Sequence, residues 1–308
     1  MNISKNILLW MSENKFMKER IPELKFVRKA VKKFMPGETE EDALYAAEQY
    51  LHFGVPLVFT KLGENISRLS EAQEVRDHYL KLIDKIKEKN LDIEISVKLT
   101  QLGFDLSEEE TINNFLAIVK NAKEKLHNSV FIDMENSLYT KRTIDFYKKC
   151  KKDFDNVGIC LQAYLFRTEK DIEELLSFNP SIRMVKGAYK EPYDLVFKNK
   201  TMVDNNFFLC ANKLLSESAQ KKIRPVFATH DEKLINSIIN EADKMGISKT
   251  SYEFQMLYGI KTELQKKLAK DGFVIRVLIA YGESWYPWYM RRLAERPANI
   301  WFVIKNIY

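Results

Sequence analysis

The residues best suited to chemistry gather at the ends of short apolar runs. Lys98 closes the run that begins at Ile93, and Asp133-Met134-Glu135-Asn136 closes the run from Ser129. Gln162-Ala163-Tyr164, Thr229-His230-Asp231 and the pair Glu253 and Gln255 hold comparable places, while Arg183-Met184-Val185-Lys186-Gly187 makes up most of another run. Burying a cation inside such a run costs several kcal/mol unless it is paired. Arg183 or Lys186 should therefore meet an acid or an anionic ligand, and Asp133 is a candidate counter-charge. Taken singly, each of these residues also reads as a solvated loop residue, and His230 as a core or loop histidine. A second constellation is Trp285-Tyr286-Pro287-Trp288-Tyr289-Met290-Arg291-Arg292-Leu293-Ala294-Glu295. On a helix starting near Pro287, Trp288, Arg291, Arg292 and Glu295 share one face. Two guanidiniums beside an indole make a clamp for a small carboxylate, because each offers a planar fork of donors. The plain alternative is a surface Arg–Glu ladder of little energetic weight.

The runs that position these groups alternate with longer amphipathic stretches. They are Val55 to Phe59, Ile93 to Leu99, Ser129 to Met134, Val157 to Tyr164, Ile182 to Lys186, Ile223 to Thr229, Ser251 to Met256 and Phe273 to Ile279. Helices are predicted in the gaps, among them Ser67 to Lys87, Glu108 to Lys125, Thr140 to Lys152, Thr168 to Ser177, Met202 to Ala219 and Asp231 to Met245, with Pro287 to Glu295 and Asn299 to Tyr308 after the last run. Before the first run, Asn2 to Met35 reads as helical with Pro22 and Pro36 as breakers, and Thr39 followed by three acids opens a helix through Tyr50. Eight strand–helix units are what a (β/α)8 barrel needs. The competing doubly wound sheet wants a Gly-rich turn after its first strand, and neither G-x-G-x-x-G nor G-x-x-x-x-G-K-[ST] occurs. The expectation is an α/β chain with an N-terminal helical arm over 1–50 and a (β/α)8 barrel over 51–308.

Composition narrows the field further. The 308 residues are 45% apolar and 30% charged, with 49 basic and 43 acidic side chains and a net charge of +6. That is an ordinary soluble composition, neither disordered nor low-complexity. The charges alternate in sign, without the basic stripe and interleaved aromatics of a nucleic-acid binder. Three cysteines without C-x-x-C argue against a disulfide framework. The four histidines lie at no metal-site spacing, so no metal is expected. No run suits a signal peptide or a membrane span, and a cytoplasmic location is expected.

Several stretches together resemble the proline dehydrogenase family of FAD-dependent (β/α)8 barrels. They are SVKLTQLG at 96–103, DMEN at 133–136, LQAYLFRTEKD at 161–171, RMVKGAYKEP at 183–192, FATHD at 227–231, EFQMLYG at 253–259 and WYPWYMRRLAERPAN at 285–299. They occur in family order, and the resemblance extends from about Glu38 to the C-terminus. It implies oxidation of L-proline to Δ1-pyrroline-5-carboxylate, with hydride passing from proline C5 to FAD N5 and electrons then to a quinone. The product would go to a separate pyrroline-5-carboxylate dehydrogenase, and the protein would meet the inner face of the membrane peripherally.

The resemblance also implies roles. The substrate-carboxylate clamp falls on Lys98, Arg291 and Arg292. Arg183 donates toward flavin N5, and Asp133 orients neighbouring cations. Cofactor contacts fall on Met134, Gln162, Arg183, Lys186, Gly187, Ala188, Thr229 and His230, with Gly187 allowing close backbone approach. Leu257 lines the apolar side of the substrate pocket, Glu64 is a gating acid that pairs with Arg291, and Glu295 balances the clamp's charge. Leu278 and Trp288 stand where related enzymes often carry Tyr, which makes the pocket more apolar, and Lys61 replaces a less basic residue. These departures bear on substrate preference and leave hydroxyproline or an N-substituted proline as an alternative. The residues alone also admit a Schiff-base lyase or aldolase using Lys98 or Lys186, or a barrel that binds without turnover.

Overall fold

The structure, a computed structural model, describes residues 3–63, 66–220 and 222–295. Three helices come first, α1 (Ile3–Glu13), α2 (Lys15–Arg20) and α3 (Lys25–Val31), followed by α4 (Glu40–Leu51). Then β1 (Leu57–Lys61), α5 (Leu69–Glu88), β2 (Ile93–Val97), α6 (Glu108–Leu126), β3 (Val130–Ile132), α7 (Ser137–Lys151), β4 (Val157–Gln162) and α8 (Thr168–Leu175) alternate. The second half continues with β5 (Ser181–Val185), α9 (Lys200–Ser218), β6 (Arg224–Ala228), α10 (Glu232–Lys244), β7 (Glu253–Leu257), α11 (Thr262–Lys270), β8 (Val274–Tyr281) and α12 (Trp285–Glu295). The strands are parallel, follow sequence order, and close when β1 pairs with β8 from Leu57↔Val277 to Lys61↔Tyr281. The expected (β/α)8 class is the one observed, and every expected strand is present with its ends displaced by a residue or two.

Each strand is covered by helices outside and by its neighbours' side chains inside, so apolar residues run almost without interruption. Alternation still sorts them. Ile93, Ile95 and Val97 of β2 are buried in the main core, whereas Glu94 and Ser96 make their contacts across the barrel. Phe131 of β3 fits because its β4 partner is Gly158; a Cβ there would come within 2.5 Å of the ring. The floor of the barrel is ionic. Arg224 bonds Glu94 at 2.5 Å and Glu253 at 2.6 Å, and Arg276 bonds Asp92 at 2.8 Å. Burial alone would lower the pKa of Arg224, but Glu253 and Glu94 more than offset it and hold the group above its ordinary value.

Local signals account for the helix starts. Thr39 accepts from the Asp42 amide at 3.1 Å, while the Asp42 carboxylate accepts from the Thr39 amide at 3.1 Å, a reciprocal cap for α4. The arm differs from expectation in one respect. It breaks at Asn14 as well as near Pro22, because the Asn14 side chain accepts from the Met17 amide at 3.1 Å and caps α2. The helix expected from Pro287 begins at Trp285, with Pro287 in the first turn, where an N–H has no helical partner to lose. The helix expected over Asn299–Tyr308 lies outside the described residues. Packing also divides the front of the chain. α4 buries Ala43, Leu44, Ala46 and Ala47 in the barrel core, whereas α1 packs on α12. Leu8, Leu9, Val27 and Val31 share a second apolar cluster with Trp285, Tyr286, Tyr289 and Leu293.

Candidate active site

The C-terminal mouth of the barrel collects the polar strand ends. At its centre is Arg183 of β5. One terminal nitrogen, Nη2, donates to Ser96 Oγ at 2.7 Å and to Asp133 Oδ1, and the other, Nη1, approaches Gln255 Oε1 at 3.3 Å. Ser96 Oγ in turn donates to Asp133 Oδ1 at 2.7 Å, and the guanidinium lies 4.9 Å over the Phe131 ring. Burial would depress the Arg183 pKa; the Asp133 carboxylate is the main force that reverses this and leaves it raised. Arg183 is thus a fixed, permanently charged donor at the base of the mouth.

Lys98 follows β2 and is only 6% exposed. Among the described residues its ammonium has no hydrogen-bond or ion-pair partner. A cation at the mouth without a counter-ion offers its charge to an incoming anion. Gln162, at the end of β4, donates to the carbonyls of Met134 at 3.4 Å and Glu135 at 3.1 Å. Its own Oε1 is buried with no donor among the described residues.

Lys186 is differently placed. It donates to Asp204 of α9 and to Asp231 at 3.0 Å, and Lys200 bonds the same two carboxylates. Burial would raise the Asp231 pKa, but hydrogen bonds from Lys200 and Lys186 overcome it and hold the carboxyl well below its usual range. With both acids engaged, Lys186 Nζ is bound between carboxylates rather than open to a carbonyl, as Schiff-base chemistry would need. Nearby, Thr229 Oγ1 accepts from the Asp231 amide at 3.2 Å, and His230 Nε2 accepts from the Leu257 amide at 2.9 Å. In the neutral ring the proton is then on Nδ1.

Gly187 has φ +108°, and a Cβ would sit 2.3 Å from the Tyr164 ring. The missing side chain is therefore required by Tyr164 and by the backbone itself, a reason different from the cofactor approach expected from sequence. Tyr164 donates to Glu191 at 2.8 Å, and Glu191 also accepts from the Ser137 amide at 2.9 Å. This ties the loop that carries Gly187 and the partly exposed Ala188 to the start of α7. From the other side, Arg291 of α12 lies 4.9 Å over the Tyr189 ring of the same loop. Trp288 and Arg291 are buried and Arg292 half-buried. Leu257 and Leu278 are partly buried and pack against the cluster that contains Trp288. Glu64 lies outside the described residues, and Glu295 ends α12 with its side chain outside them.

Sequence reasoning passed over Ser96, Tyr189 and Asp204, and left Gln255 without a partner. Alternation could have found two of these: Ser96 lies two residues before Lys98 and Gln255 two before Leu257, on the same inner faces. Nothing in the sequence pairs Tyr189 with Arg291, or Asp204 with Lys186.

A closed parallel barrel with buried cations at the C-terminal strand ends has the architecture of a (β/α)8-barrel enzyme. A proline dehydrogenase family model matches residues 43–305. Proline dehydrogenase 1 of Bacillus subtilis subsp. natto is 37% identical over 304 residues, covering 98% of each chain. Proline dehydrogenase of Deinococcus radiodurans is 33% identical over 280 residues, 89% of each. Among solved structures, proline utilization A from Bdellovibrio bacteriovorus inactivated by N-propargylglycine superposes with a TM-score of 0.80 at 25% identity. It matches 87% of this chain, which spans only 33% of that longer protein. The chain belongs to the proline dehydrogenase family.

Proposed function

We propose that the protein oxidises L-proline to Δ1-pyrroline-5-carboxylate with bound FAD, taking hydride from C5 to flavin N5 and passing the electrons to a quinone. The observation that carries this reading is Lys98, a cation on a buried side chain with no counter-ion among the described residues, at the mouth of a barrel of this family. Lys98, Arg291 and Arg292 would hold the proline carboxylate, supported by Glu64 and Glu295. Leu257, Leu278 and Trp288 would cover the ring and exclude water. Fixing the substrate in this way is chiefly a proximity effect.

The mouth also fits a flavin. Gln162 Oε1 is a buried acceptor in need of a donor such as a flavin ring N–H, and Arg183 offers a fixed positive charge. Met134, Gln162, Arg183, Lys186, Gly187, Ala188, Thr229 and His230 would hold the cofactor. When bound, FAD supplies the two-electron redox chemistry. Arg183, held by Asp133, would stabilise the negative charge that develops on reduction. The arm over 1–50 and the barrel over 51–308 are parts of the same proposal, as are a cytoplasmic location with peripheral membrane contact and release of product to a separate pyrroline-5-carboxylate dehydrogenase. Leu278 and Trp288 leave that wall without the phenols common in the family, which favours apolar ring or nitrogen substituents over a ring hydroxyl.

The test is the absorption spectrum of the purified protein before and after anaerobic addition of proline. Flavin bands that bleach with proline, together with proline-dependent dye reduction, are expected. A colourless protein, or bands indifferent to proline, would overturn the proposal.

A further inference from the structure

We propose that Glu253 and Gln255, on the inner face of β7, are positioning residues for Arg183, and that through them the ionic floor of the barrel holds the guanidinium at the mouth in one orientation. The proposal rests on the flavin-dependent reading above. Its components are side chains joined end to end, buried except for the partly exposed Arg224. Glu94 grips Arg224 with both oxygens, at 2.5 and 3.2 Å. Arg224 Nη2 bonds Glu253 Oε2 at 2.6 Å, and the other Glu253 oxygen accepts from Gln255 Nε2 at 2.6 Å. A carboxylate can only accept, so this bond settles which end of the Gln255 amide faces it. The amide oxygen must then point up the barrel, where it meets Arg183 Nη1 at 3.3 Å.

The geometry assigns Gln255 a task that Asp133 and Ser96 leave undone. Both of those groups bond the same nitrogen, Nη2. The Cys160 thiol on β4 also contacts the guanidinium, but Gln255 supplies the oxygen acceptor at Nη1, and that contact fixes its plane. Phe131 supports the plane from below, with Arg183 at 4.9 Å and Arg224 at 5.4 Å from its ring. Glu94, Glu253, Gln255 and Arg183 are each no more than 3% exposed, so water does not substitute for a lost partner. Catalytic donors need placement to within about 0.5 Å and 10–20°. Simple space-filling would not require an amide at 255 or a carboxylate at 253.

The test uses the FAD-loaded enzyme. Gln255→Leu and Glu253→Gln are made singly and in an Arg183→Lys background; Glu253→Gln preserves shape and carries the test if Gln255→Leu does not fold. Each single variant is expected to lower kcat about 10- to 100-fold, the range seen when groups that orient an active residue are removed, with KM for proline little changed. The flavin reduction potential should become more negative, and sulfite, which adds at flavin N5, should bind more weakly; neither readout depends on turnover. In the Arg183→Lys background the same changes should add little. The reciprocal exchange, Glu253→Gln with Gln255→Glu, restores a complementary pair and should recover most of kcat. The proposal is overturned if the variants keep wild-type kcat, potential and sulfite affinity, if KM and FAD affinity deteriorate in step with kcat, or if the effects add fully to Arg183→Lys. A wild-type protein that carries no flavin would overturn the functional reading itself; a normal wild type with silent variants would overturn only this inference.

Discussion

Lys98 and Arg183 are both buried cations, yet their surroundings give opposite consequences for substitution. Lys98 has no counter-ion among the described residues, so Lys98→Met strands no partner. Thermal stability is expected to hold, whereas KM for proline should rise about 10- to 100-fold, matching about 1.5–3 kcal/mol for a charged hydrogen bond; melts with and without proline and steady-state kinetics check both. Asp133→Asn does the reverse by stranding Arg183. Breaking a buried pair typically costs about 3–5 kcal/mol, so a clear drop in the denaturation midpoint is expected even without substrate. The ion square around Lys186 adds a pH signature. Burial works against the Asp231 carboxylate, but Lys200 and Lys186 depress its pKa below the unfolded value of about 3.9. Its contribution is therefore complete above that value and is lost as pH falls through the folded pKa. Wild type should melt above Asp231→Asn at neutral pH, and the gap should narrow below about pH 4; melting curves across pH 2–7 would show it. At this scale the sequence exposed the residue types and their place at strand ends. It could not say that Lys98 has no counter-ion among the described residues while Lys186 meets two carboxylates, because Asp204 and Asp231 lie on elements far away in the chain.

At the scale of elements, strands were readable because helix-covered parallel strands are nearly continuous apolar runs. Thr39 announced α4 through its cap. Less was readable where a signal is short or doubled in meaning. Asn14 serves as a cap inside an otherwise helical stretch, and α11 is a brief helix entered through Lys261 in the left-handed conformation, at φ 54°. The ionic floor escaped notice because Glu94, Arg224 and Arg276 sit at or near N-terminal strand ends and meet only through the barrel's register. α12 depends on such a distant partner as well. Its apolar side is covered by α1, so Leu9→Asp is expected to loosen the helix that carries Arg291 and Arg292. KM for proline should rise several-fold while flavin content changes little, read by kinetics and by the protein-to-flavin absorbance ratio.

Across the whole molecule, the net charge of +6 is unevenly placed. Residues 1–35 hold nine basic and three acidic side chains, and the rest of the chain is balanced. Ile7, Trp10 and Phe16 of this segment are exposed. Basic residues beside exposed apolar ones suit an anionic membrane surface, where each is worth about 1 kcal/mol. Co-sedimentation with vesicles rich in anionic lipid is expected, reduced by salt and by charge reversal at Lys18, Arg20, Arg28 and Lys29; equal binding to neutral vesicles would speak against it. Among the described residues no helix is long and apolar enough to cross a membrane. The packing of α1 on α12 has a further consequence, in the timing of synthesis. Residues 14–284 separate the two helices. At about 5–20 residues per second, a ribosome needs on the order of tens of seconds to make that stretch. Through that interval Leu8 and Leu9 lack the α12 face they pack on and have only neighbours such as Val27 and Val31, and the wall of the mouth that holds both guanidiniums cannot form. The barrel therefore becomes a competent site only once α12 has emerged, and until then the nascent chain displays an apolar helix that chaperones can bind.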